Sequence, residues 1–159
     1  MLKLLQYADT VYKIIGAAMT VHEELSWGLL EAVYQEAMHL ELLDRGIDNQ
    51  REKEIEVYYK QRLLDKKYRM DIVVGDIIVE LKSVVNLSSV HRAQLCNYLR
   101  LTHKPLGLLI NFGEASLIGE RWAYDAETNE CFIVDRYMEP ISDADYVYLL
   151  DTDGTEKYN

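Results

Sequence analysis

The feature that most constrains the fold is a short apolar stretch, 72–79, interrupted once by a Gly-Asp pair at 75–76. Gly-Asp between two β-branched runs is a turn signal, so this stretch predicts a tight β-hairpin. With the pair at the centre of the turn, Asp71 lies opposite Glu80, at a Cβ separation of about 5 Å. Lys82 follows two residues later and therefore lies on the same side of its strand as Glu80. The pattern predicts two carboxylates and an ammonium group on one face.

Two opposed carboxylates need something that balances their charge. Like charges directly opposite each other destabilise a sheet, and a divalent metal ion satisfies two carboxylates at once. Asp71 and Glu80 therefore predict a metal site, and metal-assisted hydrolysis is the chemistry that such a site supports. A solvent-exposed hairpin with mixed charges is the alternative, but the apolar run 77–79 favours a central strand over a solvated edge.

The composition is that of one folded domain. The chain has 159 residues, of which 49% are hydrophobic, and a single domain over 1–159 is large enough to bury a core. No apolar run approaches the roughly 20 residues that cross a bilayer, so we expect no membrane association. Cys96 and Cys131 belong to no motif, and we expect two buried thiols in a reducing, cytoplasmic compartment.

Charge is distributed unevenly along the chain. The net charge of −10 argues against a polyanionic partner, but residues 119–159 hold 11 acidic and three basic residues and so account for most of it. Between Arg45 and Lys104 there are 12 basic and eight acidic residues, which makes the surroundings of the hairpin mildly basic. The acidity belongs to the C-terminal part, for which solubility is the simplest role.

Helical periodicity predicts three main helices. The first covers 11–25, with Asp9 as its N-cap. The third begins at a cap formed by Asn86 or Ser88 and runs to about Leu101. The second helix is expected to bury one apolar stripe: Leu29, Val33, Ala37 and Leu40.

Strand signals fill most of the remaining chain. The alternating segment 55–59 predicts a strand, and the apolar run 105–112 is typical of a strand that is buried on both faces. Two further strands, 121–124 and 131–137, flank a polar turn, and 142–150 is compatible with a short helix. The order of helices and strands predicts an α/β sheet with helices on its faces.

Three further polar residues each have two explanations. Glu31 lies on the second helix, where residue physics alone favours a solvated acid in the first turn that interacts with the helix dipole. Gln94 and Tyr98 are four residues apart and share one face of the third helix. That face can pack beside Lys82 and contact a phosphate or an attacking group, but an amphipathic helix with a half-buried tyrosine is an equal alternative. The four histidines show no metal-ligand spacing.

Several ordered motifs resemble one known family. Asp71, Glu80 and Lys82 resemble the two acids and the lysine of the PD-(D/E)XK nuclease superfamily, although Met70 stands where the motif has proline. The segment 28–34, Gly-Leu-Leu-Glu-Ala-Val-Tyr, resembles the signature of the GxxExxY proteins within that superfamily. Further matching stretches are 68–71, 79–82, 94–100 and 107–113.

The resemblance implies a fold and a division of the chain. It covers roughly 9–118, which would form a restriction-endonuclease-like, nuclease-like core with a mixed β-sheet flanked by helices. The remainder, 119–159, would be an acidic C-terminal extension with a hairpin and a short helix.

The resemblance also implies roles for individual residues. Asp71 and Glu80 would be the central metal ligands, with the Leu81 carbonyl beside them and Glu31 as the helix-borne acid that completes the metal site. Lys82 would orient or activate the attacking water and stabilise charge on the phosphate. Two residues of the third helix resemble the Gln-x3-Tyr element of exonuclease-like members and would position the substrate: Gln94 and Tyr98.

The activity implied is that of a nuclease. Hard oxygen ligands without cysteine or histidine favour Mg²⁺ or Mn²⁺ over zinc, so we expect metal-dependent phosphodiester hydrolysis, on DNA rather than RNA. A homodimer fits the analogy with nucleases that cut both strands of a duplex. The alternative is a nuclease-fold module that binds nucleic acid or protein without cutting, although intact Asp71, Glu80 and Lys82 argue against it.

Overall fold

The computed structural model describes residues 3–141 together with the backbone of 148–150 and 156–158, and it has helices on both sides of a sheet. None of the helices in these ranges has the length and hydropathy of a segment that crosses a bilayer. The helices follow a 3-10 turn, Leu4–Tyr7, and are α1, Ala8–Leu25; α2, Glu31–Asp44; and α3, Ser89–Thr102. The strands are β1, Gln50–Ile55; β2, Tyr58–Tyr59; β3, Arg62–Leu63; β4, Tyr68–Val74; β5, Ile77–Lys82; β6, Leu106–Asn111; β7, Leu117–Asp125; β8, Glu130–Val134; β9, Tyr148–Leu150; and β10, Glu156–Tyr158.

The main sheet is mixed. Its strand order is β1-β4-β5-β6-β7-β9-β10, and β8 pairs with β7 next to β9. Strands β5 and β6 run parallel, with α3 as the crossover that a parallel pair requires, while the other pairs are antiparallel. A separate hairpin is formed by β2 and β3. The predicted α/β fold with a helix-flanked mixed sheet is confirmed.

The β4–β5 hairpin has the predicted register. Val74 pairs with Ile77, and Ile72 pairs with Val79, around a turn in which Gly75 has a φ of 57°. Positive φ is the conformation that glycine adopts without strain, which explains why a Gly-Asp pair marks the turn. The parallel pairing of β5 with β6 makes both strands end at the same edge of the sheet.

Each face of the sheet packs against helices. Ile72 and Val79 belong to the apolar cluster that contains α1 and α2 residues, whereas Ile78 and Leu109 belong to the cluster that contains Leu95 of α3. All six residues of β6 are buried, as its apolar run predicts. A fully buried aliphatic side chain contributes about 1.5–3 kcal/mol, so these two clusters hold the helices in place.

Helix α3 is fixed over the sheet at several points. It begins after Ser88, one of the two predicted caps, whose N–H donates to the His91 ring at 3.1 Å. Arg92 makes an ion pair with the buried Glu120 of β7, with nitrogen and oxygen 2.7 Å apart. These contacts determine where the polar face of α3 lies relative to the end of β5.

The first two helices differ in detail from the prediction. Tyr7 is the N-cap of α1, so Asp9 lies in the first turn, 3.2 Å from Lys13, and its predicted capping role is wrong. The buried stripe of α2 is also different, because Tyr34 and Met38 are among its fully buried side chains. Of the four residues predicted to be buried, Ala37 is partly buried and three are exposed: Leu29, Val33 and Leu40.

Two strand predictions and one helix prediction also need correction. The strand predicted over 55–59 stops at Ile55, because the chain turns away there into the β2–β3 hairpin. The strand predicted over 131–137 ends at Val134. Of the helix predicted over 142–150, the last three residues form β9 and the others lie outside the described residues.

Cys96 of α3 and Cys131 of β8 form a disulfide, with their Cα atoms 6.0 Å apart. The expectation of two free thiols is therefore wrong. A pair of cysteines 35 residues apart carries no sequence signal for pairing, which depends here on how the helix packs against the sheet. The predicted cytoplasmic location rested partly on free thiols and remains a prediction without that support.

Candidate active site

At the end of the β4–β5 hairpin, the Asp71 and Glu80 carboxylates each accept a hydrogen bond from the backbone of the opposite strand, so that the two bonds cross. The regular pairing of β4 with β5 extends to Ile72 and Val79. Beyond that pair, the Asp71 N–H donates to Glu80 Oε1 at 3.0 Å, and the Leu81 N–H donates to Asp71 Oδ2 at 2.8 Å. The sheet therefore brings both carboxylates to one place, and each of them also bonds the backbone of the opposite strand.

Glu80 is buried, with 3% of its surface exposed. Burial raises the pKa of its carboxyl well above the ordinary value, and the negative charge of Asp71 raises that pKa further. The Asp71 N–H and the positive charge of Lys82 act in the opposite direction. This balance favours either a proton or a bound cation at the pair of carboxyl groups.

Lys82 is held by the polar face of α3. Its side chain is 14% exposed, and its Nζ donates to Gln94 Oε1 at 2.9 Å. Gln94 Nε2 in turn donates to the Tyr98 hydroxyl oxygen at 3.1 Å. Burial and the nearby charge of Glu80 raise the pKa of Tyr98, so its phenol stays neutral. The structure thus brings the two predicted α3 residues to the predicted lysine.

The loop before α2 is closed by the glycine and the tyrosine of the 28–34 segment. Gly28 has a φ of 86°, and its N–H donates to the Phe112 carbonyl at 3.0 Å. The Tyr34 hydroxyl donates to the Ser26 carbonyl at 2.8 Å and accepts from the Leu29 N–H at 3.2 Å. These bonds fix the start of α2 against the end of the sheet.

Glu31 is the first residue of α2 and contacts the lysine rather than the acids. Its Oε1 lies 3.8 Å from Lys82 Nζ, and its side chain is 49% exposed. In the described ranges, no group of three or more His, Cys, Asp and Glu side chains is close enough together to hold a metal ion. The ligand set of Glu31, Asp71, Glu80 and the Leu81 carbonyl remains a prediction.

Gln35 is a site residue that the sequence analysis missed. It is 8% exposed, and its Nε2 donates to Asp71 Oδ1 at 3.3 Å. The Arg51 guanidinium of β1 donates to Gln35 Oε1 at 3.3 and 3.4 Å. The only signal in the sequence is a polar residue next to the buried Tyr34, and its partner becomes apparent only when α2 packs on the sheet.

Asn111 is the second missed residue. It ends β6 and is paired in register with Lys82. Its Nδ2 donates to the Val84 carbonyl at 2.9 Å, while its Oδ1 accepts from the Val84 N–H at 3.0 Å, so it fixes the chain just after β5. A polar residue directly after the apolar run 106–110 is a signal that could have identified it.

His91, in the first turn of α3, is a third polar group at this edge of the sheet. Its Nδ1 accepts from the Ser88 N–H. Burial and then the positive charge of Lys82 lower its pKa, while Glu31 raises it in part. The ring is therefore neutral at neutral pH, and its Nδ1 lone pair is already engaged by the Ser88 N–H.

The donor atoms fit a hard divalent cation. The carboxylate oxygens of Asp71 and Glu80 and the backbone carbonyl of Leu81 are oxygen donors of the type that Mg²⁺ and Mn²⁺ prefer. A cation would also offset the two effects that raise the pKa of Glu80, which are the desolvation of its buried negative charge and the repulsion from Asp71. Together with Lys82, this arrangement is able to bind a phosphate and polarise a water molecule.

Comparison with known proteins gives one family match. The model of the PD-(D/E)XK nuclease superfamily matches residues 8–121. Among solved structures, the chain is similar to one titled "Crystal structure of SSO0001", with 17% sequence identity, a TM-score of 0.35, and coverage of 83% of this chain and 67% of that chain. No curated protein matches the chain.

Proposed function

Because this chain belongs to the PD-(D/E)XK nuclease superfamily, we propose that it hydrolyses phosphodiester bonds of nucleic acid at Asp71, Glu80 and Lys82. One observation carries the proposal. The two crossed hydrogen bonds hold the buried Glu80 carboxyl and the partly buried Asp71 carboxyl near an ammonium group that is itself oriented by Gln94. A chain that only needed a stable sheet could accept these two hydrogen bonds with amide side chains and would avoid the repulsion between two opposed acids.

The metal ligands in this proposal are Asp71, Glu80 and the Leu81 carbonyl, with Glu31 as the acid from α2. Mg²⁺ or Mn²⁺ bound by them would neutralise phosphate charge and lower the pKa of a coordinated water. Glu31 lies beside Lys82 at the start of α2, and its side chain is half-exposed. In this proposal, a rotation of that side chain exchanges the lysine for the metal as its partner.

Lys82 is the residue that acts on the substrate. Its ammonium group hydrogen-bonds or orients the attacking water and stabilises the negative charge that develops on the phosphate. Gln94 and Tyr98 hold that ammonium in place, and Gln35 holds the Asp71 carboxylate.

We further propose that the chain is one of the GxxExxY proteins and that DNA is its substrate in preference to RNA. The hydrogen bonds made by Gly28 and Tyr34 support the assignment to the GxxExxY proteins, because they explain why that signature contains a glycine and a tyrosine. A homodimer follows only by analogy with enzymes that cut both strands of a duplex.

Metal-dependent cleavage tests the proposal. Purified full-length chain with Mn²⁺ or Mg²⁺ should cleave labelled DNA, and Glu80→Gln and Lys82→Met should each lower the rate by about 100-fold or more. Glu24→Gln, an exposed acid on α1, is the matched control and should keep the wild-type rate.

Two outcomes would contradict the proposal. One is an absence of cleavage of single-stranded DNA, duplex DNA and RNA by the wild-type chain with either metal. The other is cleavage that persists in both site variants, which would indicate a contaminating nuclease. Binding of Mn²⁺ without any cleavage would instead support the alternative of a nuclease-fold binding module.

A further inference from the structure

Residues 58–69, here called the basic hairpin, form the most continuously exposed segment beside the candidate site. They comprise β2, β3, the loop after β3 and the first two residues of β4, and every one of them is exposed. Strands β2 and β3 pair only with each other among the described strands. The β2–β3 part of the segment is therefore separate from the main sheet, while Tyr68 and Arg69 belong to the start of β4.

The charge of the basic hairpin is opposite to that of the whole chain. It contains five basic residues and one acid, Asp65, in a protein whose net charge is −10. Lys67 and Arg69 pair with Glu54 at 3.3 and 3.8 Å. In the described part of the chain, no ion pair engages the other three basic residues: Lys60, Arg62 and Lys66. These cations are available to a polyanion.

Three tyrosines flank these cations in the sequence, two before them and one after. Tyr58, Tyr59 and Tyr68 are 59%, 54% and 42% exposed, so their rings contribute little to the core. The Lys60 ammonium lies 5.4 Å from the centre of the Tyr59 ring. Exposed aromatic rings close to cations are the combination that binds unpaired bases and the phosphates between them.

A groove connects the basic hairpin with the candidate site. It has a volume of about 640 Å³ and runs between Tyr68 and the exposed face of α3. Tyr98 lines it, with its ring centre 5.7 Å from that of Tyr68, and so does Gln94, which binds Lys82. Arg100 adds another cation along the groove. A nucleic-acid strand bound by the basic hairpin and continuing along this groove would therefore approach Lys82.

We propose that the basic hairpin and this groove bind single-stranded nucleic acid, with bases stacked on Tyr58, Tyr59 and Tyr68 and phosphates bound by Lys60, Arg62 and Lys66. The inference rests on the proposed nuclease function, since it names the substrate class of the same site. Single strands are favoured over duplexes because stacking on a tyrosine requires a base face that is not already stacked within a helix. Recognition of this kind is independent of sequence.

Fluorescence anisotropy in EDTA tests the binding surface without cleavage. The probe is a labelled oligothymidine of about 16 nucleotides, with an oligouridine and a duplex of the same length as comparisons. Tyr58→Ala/Tyr59→Ala should raise the Kd for the single strands about fivefold or more. Lys60→Ala/Arg62→Ala/Lys66→Ala should lower the slope of log affinity against log salt by about 2, because each lost phosphate contact removes about 0.7.

Matched controls separate the hairpin from general effects of charge and folding. Tyr12→Ala/Tyr137→Ala removes two tyrosines that are 64% and 60% exposed elsewhere. A second control removes three cations outside the hairpin: Lys3, Lys13 and Arg136. Both controls should bind like the wild-type chain, and circular dichroism should show that all variants are folded.

The outcomes also separate this inference from the nuclease proposal. If both hairpin variants keep wild-type affinity, or if the duplex binds as tightly as the single strands, the inference is wrong even when the chain cleaves DNA. If single strands bind through the hairpin but nothing is cleaved with Mn²⁺, the binding surface stands and the nuclease proposal fails.

Discussion

Glu80 is the residue at which sheet stability and site chemistry conflict. Its carboxyl is buried next to Asp71, and both burial and repulsion raise its pKa. The unfolded chain ionises this group near pH 4, whereas the folded chain resists ionisation until a higher pH. Stability is therefore lost as the pH rises from the pKa of the unfolded chain to the higher pKa of the folded chain. Below both pKa values the carboxyl is protonated in both states, and this loss is absent.

Glu80→Gln should consequently stabilise the metal-free protein at neutral pH. We expect a higher free energy of unfolding, because the glutamine amide carries no charge that must be buried beside Asp71. Glutamine keeps the oxygen that accepts from the Asp71 N–H. Urea unfolding in EDTA at pH 7 and pH 4 should show the gain shrinking toward the lower pH, and a gain that is absent or independent of pH would contradict the argument.

Single residues were predictable where the information is local. The turn at Gly75-Asp76 specifies the register, and the register alone places Asp71 against Glu80. Gln35 and Asn111 were not predictable in this way, because their roles depend on how α2 packs and on which strand lies beside β5. Turn chemistry is readable from neighbours in sequence, whereas these contacts join distant segments.

Among the elements, α3 joins the candidate site to the proposed binding groove. One face carries the Gln94 and Tyr98 side chains, and Leu95 packs against Gly107 of β6 on the other side. A Cβ on Gly107 would lie 2.7 Å from Leu95 Cδ1, so the helix can sit this close to the sheet only over glycine. The position of Lys82 therefore depends on a packing contact outside the site.

Gly107→Ala tests that dependence. Overpacking should destabilise the protein by about 1–3 kcal/mol and displace α3 from the sheet. Leu95→Ala alone should lose about 2–5 kcal/mol through the cavity that it leaves. In a double-mutant cycle measured by urea unfolding, the double variant should lose about 1 kcal/mol or more less than the sum of the two single-variant losses. Strict additivity would show that this contact does not limit how closely the helix packs.

Elements were predictable where one pattern dominated, and β6 and α3 are the clearest cases. Helix α2 was mispredicted because two stripes share the helical period. Leu29 and Leu40 looked like the buried side on hydrophobicity alone, yet Tyr34 and Met38 are buried. The hydrogen bonds between the Tyr34 hydroxyl and the loop before α2 explain why the Tyr34 side of the helix is the buried one. Hydrophobic periodicity contains no information about such side-chain hydrogen bonds.

At the scale of the whole molecule, one covalent link crosses the fold. The Cys96–Cys131 disulfide ties α3, and with it the site, to β8 on the far part of the sheet. It closes a loop of 35 residues, for which chain entropy predicts a stabilisation of about 4 kcal/mol.

Reduction should reveal this contribution. Dithiothreitol should lower the free energy of unfolding of the wild-type chain by about 2–4 kcal/mol and leave the Cys96→Ala/Cys131→Ala variant unchanged. Mass spectrometry after alkylation should find no free thiol in the untreated protein. Two alkylated cysteines before reduction, or equal responses of the two proteins, would show that the link is not formed in solution.

The crossed hydrogen bonds that Asp71 and Glu80 accept have a consequence for how such sites evolve. Both side chains are acceptors for the backbone of the opposite strand, so the sheet needs an oxygen at each position whether or not the protein is an enzyme. A descendant that abandoned catalysis would tolerate the matching amides, or keep the acids unchanged, while Lys82 drifted freely. In relatives of this chain, the presence of the two acids is therefore weaker evidence of nuclease activity than the presence of the lysine.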